Sequence, residues 1–173
     1  MVGGTFFFTL VTYKRRPILC DPANVDLLRD VIGDVKKRHS FEIDAFVLLP
    51  DHLHCIWTLP DGDRDFSTRW RLIKSGFSRR CNGRYKIQPS DSRFKKREST
   101  LWQRRFWEHR IRDEKDMFHH TDYIHYNPVK HGLVASPEAW QFSSFHRHVK
   151  EGIYDKGWGS NEALLFDNHI GKE

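Results

Sequence analysis

The stretch FEIDAFVLLPDHLHCIWTL, residues 41–59, carries the pattern around which the rest of the chain can be placed. Its first half alternates apolar and acidic residues and then becomes fully apolar, which is typical of a strand entering a buried sheet. Leu49-Pro50-Asp51 interrupts the pattern, and a second apolar run follows from His52 to Leu59. Two strands joined by so short a link predict a hairpin.

Two elements precede this hairpin. Residues 5–13, TFFFTLVTY, are dense in aromatic and β-branched side chains and predict a buried strand. From Asn24 to about Arg38, apolar residues recur every three or four positions with charged residues between them. This spacing predicts an amphipathic helix.

Three further elements follow the hairpin. Ser67 is a candidate N-cap for a helix that is both apolar on one side and strongly basic. Residues 82–100 show no sustained periodicity and predict a mobile loop. Residues 101–111 predict a fourth strand, and Asp113 can cap a last helix that runs towards Pro128.

The resulting order is strand, helix, strand, strand, helix, strand, helix. A βαββαβ order commonly forms an antiparallel sheet with helices on one face. We therefore predict the α+β class, with the ferredoxin-like arrangement that RNA-recognition (RRM-like) domains also use, extended by a C-terminal helix.

Composition limits the class of protein. The 173 residues are enough for one domain, and 29 Lys and Arg against 23 Asp and Glu give a net charge of +6. Such an excess attracts polyanions, with nucleic acid as the leading partner. The three cysteines are widely spaced and predict reduced thiols, and no run suits a secretion signal or a membrane span, so we expect a cytoplasmic protein.

His52 and His54 are the first candidate site residues. Side chains two apart on a strand point to the same face, so both imidazoles can reach one divalent metal while Leu53 points into the core. In a chain with 11 histidines this spacing also arises by chance. Two histidines leave room for a further ligand, and an oxygen donor would favour Mg²⁺ or Mn²⁺ over structural zinc.

Tyr123 and Asn127 are the second candidate pair. They are four residues apart and therefore share one helical face, and Asn127 precedes Pro128, where we expect the chain to leave helical geometry. A metal that polarises a phosphodiester, with a phenolic oxygen attacking in line, would give a covalent phosphotyrosine. The competing interpretation is that Tyr123 is an ordinary core aromatic.

Several of these segments together resemble a known family. PDHLH, residues 50–54, resembles the histidine-apolar-histidine (HUH) motif of single-tyrosine transposases. The segments LWQRRFWEHRIRD, residues 101–113, and YIHYNPVKHGLV, residues 123–134, resemble their REP-associated branch. The similarity covers roughly residues 6–150, so we predict a transposase domain at 1–150 and a C-terminal tail at 151–173.

The resemblance implies roles for particular residues. His52 and His54 would bind a divalent metal, Tyr123 would be the nucleophile, and Asn127 would complete the metal site. Tyr126 is the rival nucleophile, since it lies three residues further along the same helix. The resemblance also implies a metal-dependent endonuclease and strand transferase that cuts single-stranded DNA beside palindromic hairpins and keeps the 5′ end on tyrosine.

The basic residues are candidates for DNA contacts. Arginines beside aromatic side chains can bind phosphate and stack unpaired bases, although the same aromatics could fill the core and the arginines could simply be solvated. The candidates are Arg69, Arg71, Lys74, Arg79, Arg80, Arg104 and Arg105.

Three functions compete at this level. The first is an active DNA-nicking and DNA-joining transposase, the second is a catalytically silent hairpin-binding protein on the same fold, and the third is an RNA-binding ferredoxin-like domain. The presence of His52, His54, Tyr123 and Asn127 favours the first. The sequence leaves open which repeat is recognised, whether transposition is active, and whether the protein is a monomer or a homodimer.

Overall fold

In the computed structural model, residues 3–161, 163–166 and 170–171 are described. The elements in chain order are β1 (Thr5–Val11), α1 (Pro22–Arg38), β2 (Glu42–Leu48), β3 (His52–Thr58), α2 (Phe66–Arg80), α3 (Asp91–Lys95), β4 (Trp107–Arg110), α4 (Glu114–Lys130) and α5 (Phe145–Lys150). Short 3-10 turns occupy Tyr13–Arg15, Gly83–Tyr85 and Pro137–Ala139. Part of the predicted tail, residues 162, 167–169 and 172–173, lies outside the described residues.

The strands form one antiparallel sheet in the order β2-β3-β1-β4. The central pair is β1 and β3, in which Thr9 lies opposite His54 and Val11 opposite His52. The predicted βαββαβ order and the antiparallel sheet are confirmed. The hairpin predicted from residues 41–59 is the pairing of β2 with β3.

The two faces of the sheet carry different layers. Because side chains alternate along a strand, Phe6, Phe8 and Leu10 of β1 point to one face, where they join the core formed with α1 and α2. Phe7, on the opposite face, joins a second core with Tyr123 and Ile124 of α4. Thus α1 and α2 share one face, as predicted, and the C-terminal helix α4 covers the other.

The cap of α2 differs from the prediction. The helix begins at Phe66, and the carboxylate of Asp65 accepts a hydrogen bond from the Thr68 amide at 2.9 Å. The prediction that Ser67 is the N-cap is therefore wrong by two positions. Asp and Ser are both good caps, so composition alone does not separate them.

Residues 82–100 contain more structure than predicted. They include a 3-10 turn and the short helix α3, and Arg93 is buried, with its guanidinium 3.9 Å from the centre of the Tyr13 ring. The prediction of a loop without regular structure is wrong here. An arginine packed against a distant aromatic leaves no periodic signal in the sequence.

The segment predicted as the fourth strand splits in two. Trp102 forms an isolated bridge with Thr12, and only Trp107–Arg110 continue as β4 beside β1. Trp102 is buried in the core on the α2 side. The strand is therefore shorter than predicted, and the first half of the predicted segment packs in the core instead.

The last long helix is capped as predicted but ends later. Asp113 accepts a hydrogen bond from the Asp116 amide at 2.8 Å. The helix continues through Asn127 and Pro128 to Lys130, so the expected departure from helical geometry at Asn127 is wrong. The restriction before proline is a preference that packing can override, and both Asn127 and Pro128 are buried.

The segment after α4 closes the edge of the sheet at β2. Val47 forms a bridge with Ser143, and the Leu48 amide donates to the Phe142 carbonyl at 2.8 Å. This arrangement covers an edge that would otherwise expose unpaired backbone groups. Among the described residues, no helix is both long and apolar enough to cross a membrane.

Candidate metal and nucleophile site

His52 and His54 lie at the start of β3 on the face covered by α4. Their side chains are buried, and their ring centroids are 5.0 Å apart. Leu53 between them belongs to the core on the opposite face. The alternation of the strand thus brings the two imidazoles together, as expected from their spacing.

Each of these rings is oriented by a neighbouring polar group. His52 Nδ1 lies 2.7 Å from Asp51 Oδ1, and His54 Nδ1 lies 2.8 Å from Thr9 Oγ1. Burial tends to raise the pKa of Asp51, but the hydrogen bond from His52 and the charge of Arg15 lower it below its usual range. The Asp51 carboxylate can accept a hydrogen bond from His52 Nδ1, and in that tautomer the lone pair of His52 lies on Nε2.

Asn127 of α4 faces His52 Nε2. Its Oδ1 is 3.4 Å from that nitrogen, and its side chain is fully buried. In the tautomer with the proton on Nδ1, both facing atoms are acceptors, and a cation between them would bind to both. Neighbouring ligands at right angles on Mg²⁺ are about 3 Å apart, for bonds of about 2.1 Å. The donor types of His52, His54 and Asn127, and the spacing of His52 Nε2 and Asn127 Oδ1, therefore fit a divalent metal.

A second observation concerns the other end of the same amide. Within the described part of the chain, Asn127 Nδ2 is buried and has no hydrogen-bond partner. A buried amide left in this way is costly and needs a reason. The amide is oriented with Oδ1 towards His52 and Nδ2 away from it. A role of Oδ1 as a metal ligand would explain this orientation.

Tyr123 lies one turn before Asn127 on the same helical face. Its ring is 5.3 Å from that of His54, and the side chain is 1% exposed. Its hydroxyl lies 3.0 Å from Lys130 Nζ and 3.4 Å from the Gly171 carbonyl oxygen. Helix α4 therefore brings a phenolic oxygen beside the imidazole pair.

Tyr126 has different surroundings. It is also buried, and its ring packs against Trp158 at 6.4 Å and Phe166 at 5.7 Å. These residues belong to the segment after α5. Between the two candidate nucleophiles, the ring contact with His54 is made by Tyr123.

Four residues near the site were given no role from the sequence. Asp51 and Thr9 orient the histidines, Lys130 contacts the Tyr123 hydroxyl, and the exposed His131 has its ring 5.0 Å from that of His52. The contact of Lys130 with Tyr123 could have been predicted, because a residue seven positions later returns to nearly the same helical face. The contact of Thr9 with His54 could not, since it depends on strand register.

A second cluster of possible metal ligands lies one turn earlier on α4. Atoms of His109, Asp116 and His120 lie within 4.8 Å of one another. However, His120 Nδ1 is 2.8 Å from the Asp116 carbonyl, which can only accept, so that nitrogen carries a proton. Arg112 Nε also lies 3.1 Å from the Asp116 carboxylate and already supplies positive charge. This cluster is a hydrogen-bond network that joins β4 to α4.

Arg69 does not lie where a DNA-binding residue must lie. It is buried, and its guanidinium bonds the carboxylate of Asp63 at 2.7 Å and the Ser40 carbonyl at 2.7 Å. It also donates to the carbonyls of His39 and Asp65. Arg69 therefore ties α2 to the loop before β2, which corrects its assignment as a DNA contact.

The other basic candidates separate into two groups. Four of them line a recess of about 500 Å³ between α2 and residues 93–106: Arg71, Lys74, Arg79 and Arg104. Arg80 instead pairs with Asp30 and Asp34 of α1, and Arg105 is exposed but is not among the described residues lining the recess. Arg93 and Arg97, which lie in the segment predicted to be a loop, also line the recess.

The recess gathers several basic side chains, and Glu98 also lines it. Burial, and to a smaller extent the charge of Arg93, lower the pKa of Lys74 to about 8. Trp102 and Phe106 supply apolar surface beside them. Since α2 covers the face opposite α4, the recess and Tyr123 lie on opposite sides of the sheet.

Comparison with known proteins gives consistent results. The family model described as "Transposase IS200 like" matches residues 4–127. A REP-associated tyrosine transposase of Escherichia coli K12 is 46% identical over 159 residues, covering 92% of this chain and 87% of the relative. A Haemophilus influenzae protein, provisionally given the same name, is 44% identical over 97% of this chain and 94% of its own length.

A solved structure is similar over the whole chain. It is the structure of a REP-associated tyrosine transposase bound to a REP hairpin, with a TM-score of 0.82 and 43% identity. The match covers 100% of this chain and 93% of that one.

Proposed function

Because the chain belongs to the REP-associated tyrosine transposases of the IS200-like family, we propose that it cuts and rejoins single-stranded DNA beside hairpin-forming repeats. In this proposal Tyr123 forms a covalent 5′-phosphotyrosine. The observation that carries it is the position of α4, which places Tyr123 and Asn127 beside His52 and His54.

The chemistry assigned to the protein follows from these positions. The phenolic proton of Tyr123 passes to water, and the oxygen attacks phosphorus in line. The new oxygen–phosphorus bond forms as the bond to the 3′ oxygen breaks, and that oxygen takes a proton from water. A 3′ hydroxyl reverses the same steps during joining. A buried ring held between Phe7 and His54 restricts the phenol to few orientations, which favours the attack geometry.

The metal that we propose is Mg²⁺ or Mn²⁺, held by His52, His54 and Asn127. When bound, it would polarise the scissile phosphate and offset the charge that develops there. An amide oxygen among the ligands suits these ions better than a closed zinc site. Turning the Asn127 amide over would satisfy His52 without a cation, so metal binding by the purified protein is itself informative.

The charged recess, and the relative that was solved with a REP hairpin, support a DNA partner. We propose that Arg71, Lys74, Arg79 and Arg104 bind hairpin phosphates, helped by Arg97. The strand to be cut then passes around the edge of the sheet to Tyr123. We place the protein in the cytoplasm, where its three free cysteines stay reduced.

A catalytically silent hairpin-binding protein is the alternative, and one observation favours it. Gly171 lies against the Tyr123 hydroxyl, and Phe166 packs on the ring at 5.5 Å. In this arrangement the phenol is covered. An active enzyme must therefore uncover Tyr123 when DNA binds.

The test is formation of a covalent adduct. End-labelled single strands carrying a REP hairpin are incubated with the protein and Mg²⁺ or Mn²⁺, and adducts are resolved on a denaturing gel. We expect an adduct with the wild type and with Tyr126→Phe, and none with Tyr123→Phe. An adduct that persists in Tyr123→Phe refutes the nucleophile assignment, and hairpin binding without any adduct supports the silent alternative.

A further inference from the structure

Lys130 is the last residue of α4 and lies almost two turns after Tyr123. Side chains on a helix lean towards its N-terminus, so the lysine reaches back over the tyrosine. Its Nζ is 3.0 Å from the Tyr123 hydroxyl oxygen and 4.8 Å from the ring centroid. A positive charge thus contacts the atom to which the nucleophile role is assigned.

That oxygen must carry negative charge at two points of the proposed reaction. During cleavage it loses its proton before it bonds to phosphorus, and during joining it leaves phosphorus as an oxyanion. An ammonium has three donors and no acceptor, so its contact with the oxygen strengthens as the charge develops. The Gly171 carbonyl, which also contacts the hydroxyl, behaves in the opposite way, because a carbonyl cannot donate to an oxyanion.

We propose that Lys130 is a further catalytic residue, whose ammonium stabilises negative charge on the Tyr123 oxygen in both cleavage and joining. The proposal rests on the phosphotyrosine function given above. Lys130 transfers no proton: the phenolic proton goes to water before attack, the phosphorus bond passes from the 3′ oxygen to the phenolic oxygen, and the 3′ oxygen takes a proton from water. The reverse sequence operates in joining.

The first experiment compares single-turnover rates at one fixed pH, with saturating hairpin DNA and Mg²⁺ or Mn²⁺. Lys130→Met is expected to slow adduct formation and joining by about 10- to 100-fold each, as for loss of a hydrogen bond to a charged group. Lys130→Arg keeps the charge and is expected to recover most of both rates. Lys115→Met, an exposed lysine in the first turn of the same helix, is the matched control and is expected to match the wild type.

The second experiment separates charge stabilisation from a purely structural role. A fluorinated tyrosine at position 123 withdraws electrons from its oxygen and stabilises the negative charge by itself. The loss caused by Lys130→Met should therefore shrink several-fold in that background. Hairpin affinity, measured in parallel, is expected to remain unchanged, because the recess that we assign to DNA lies across the sheet.

Three results would overturn the proposal. These are a wild-type adduct rate in Lys130→Met, an equal loss in Lys130→Met and Lys130→Arg, or a loss that fluorination leaves unchanged. Absence of any adduct from the wild type would remove the proposed function and this role with it. Failure of the proposed function is thus seen in the wild type, whereas failure of the Lys130 role is seen only in the Lys130 variants.

Discussion

Arg69 and Arg71 lie two positions apart on α2 but face different surroundings. Arg69 is buried and bonds the Asp63 carboxylate together with backbone carbonyls, whereas Arg71 is exposed at the recess. Removing the Arg69 guanidinium would leave the backbone carbonyls of His39, Ser40 and Asp65 without that donor. Arg69 therefore stabilises the fold, whereas Arg71 on the same helix is accessible to a ligand.

This contrast gives the first prediction. Arg69→Leu is expected to lower the free energy of unfolding by about 3 kcal/mol, and Arg71→Gln by no more than about 0.5 kcal/mol. Urea unfolding of the two variants and the wild type measures both values. Equal effects would show that Arg69 is not the structural tie described here.

Thr9 gives a prediction about the metal. Its hydroxyl contacts His54 Nδ1, so it orients the ring and fixes which nitrogen faces a metal. Thr9→Val is expected to weaken Mn²⁺ binding by about 10- to 100-fold in isothermal titration, as for loss of such an outer partner. Thr5→Val is the control, because Thr5 lies on the same strand but pairs with Thr58. Unchanged Mn²⁺ affinity in Thr9→Val would contradict the proposed ligand set.

At the residue level, the sequence predicted that His52, His54, Tyr123 and Asn127 lie close together, but not what surrounds them. Spacing on a strand or a helix is a local property and can be read from the chain. The contacts of Thr9 with His54 and of Arg69 with Asp63 depend on register and on loop paths. Periodicity carries no information about either.

At the level of elements, α4 is fixed to the sheet by Asp116. Its carboxylate accepts from His109 Nε2 of β4 at 2.9 Å and from the Arg112 amide at 3.0 Å. Burial tends to raise the pKa of Asp116, but the bonds from Arg112 and His109 outweigh it and hold the pKa far below its usual range. The network sets the start of the helix whose later turns carry Tyr123 and Asn127.

The pH dependence of stability tests this connection. Asp116→Asn is expected to lower the free energy of unfolding by about 2 kcal/mol at pH 7. Because the folded pKa is depressed, the contribution of Asp116 is complete above the unfolded value near pH 4 and is lost as the pH falls through the folded value. Urea unfolding between pH 7 and pH 2 should therefore show the two proteins converging below about pH 4. A constant difference at all pH values would contradict the depressed pKa.

Elements with strong periodicity were predictable, and the weaker ones were not. The hairpin has the apolar runs of buried strands and α1 has the three- to four-residue spacing of an amphipathic helix. The observed bounds of both agree closely with the prediction. Arg93 packs on Tyr13 across the fold, and Pro128 remains within a helix because its surroundings are buried. Both outcomes depend on tertiary contacts that override local preference.

At the level of the whole molecule, binding and chemistry are assigned to opposite sides of one sheet. The cationic recess lies with α2 on one face, and Tyr123 lies with α4 on the other. A change in the recess should therefore alter DNA affinity without altering the chemical step on bound DNA.

Salt dependence measures this separation. Arg71→Gln and Arg79→Gln should each weaken hairpin binding and reduce the slope of log affinity against log salt by about 1. The adduct rate at saturating DNA should remain within about twofold of the wild type, since a change that only weakens ground-state binding leaves the chemical step intact. A lost adduct rate with unchanged hairpin affinity would contradict the assignment of the recess.

The order and pairing of the strands followed from the sequence because each element had a clear pattern and the connections were short. The position of the recess did not follow, since Arg71 and Arg104 are far apart in the chain and meet only in the folded molecule. Charge alone indicated a polyanion without showing where it binds.

The central claim is that Tyr123 carries the covalent link to DNA, and peptide mapping of the adduct tests it most directly. After nuclease and trypsin digestion, the peptide from Asp116 to Lys130 contains both Tyr123 and Tyr126, and its fragment ions locate the attached nucleotide. We predict the nucleotide mass on Tyr123. The same mass on Tyr126, or on a peptide from elsewhere in the chain, would contradict the account.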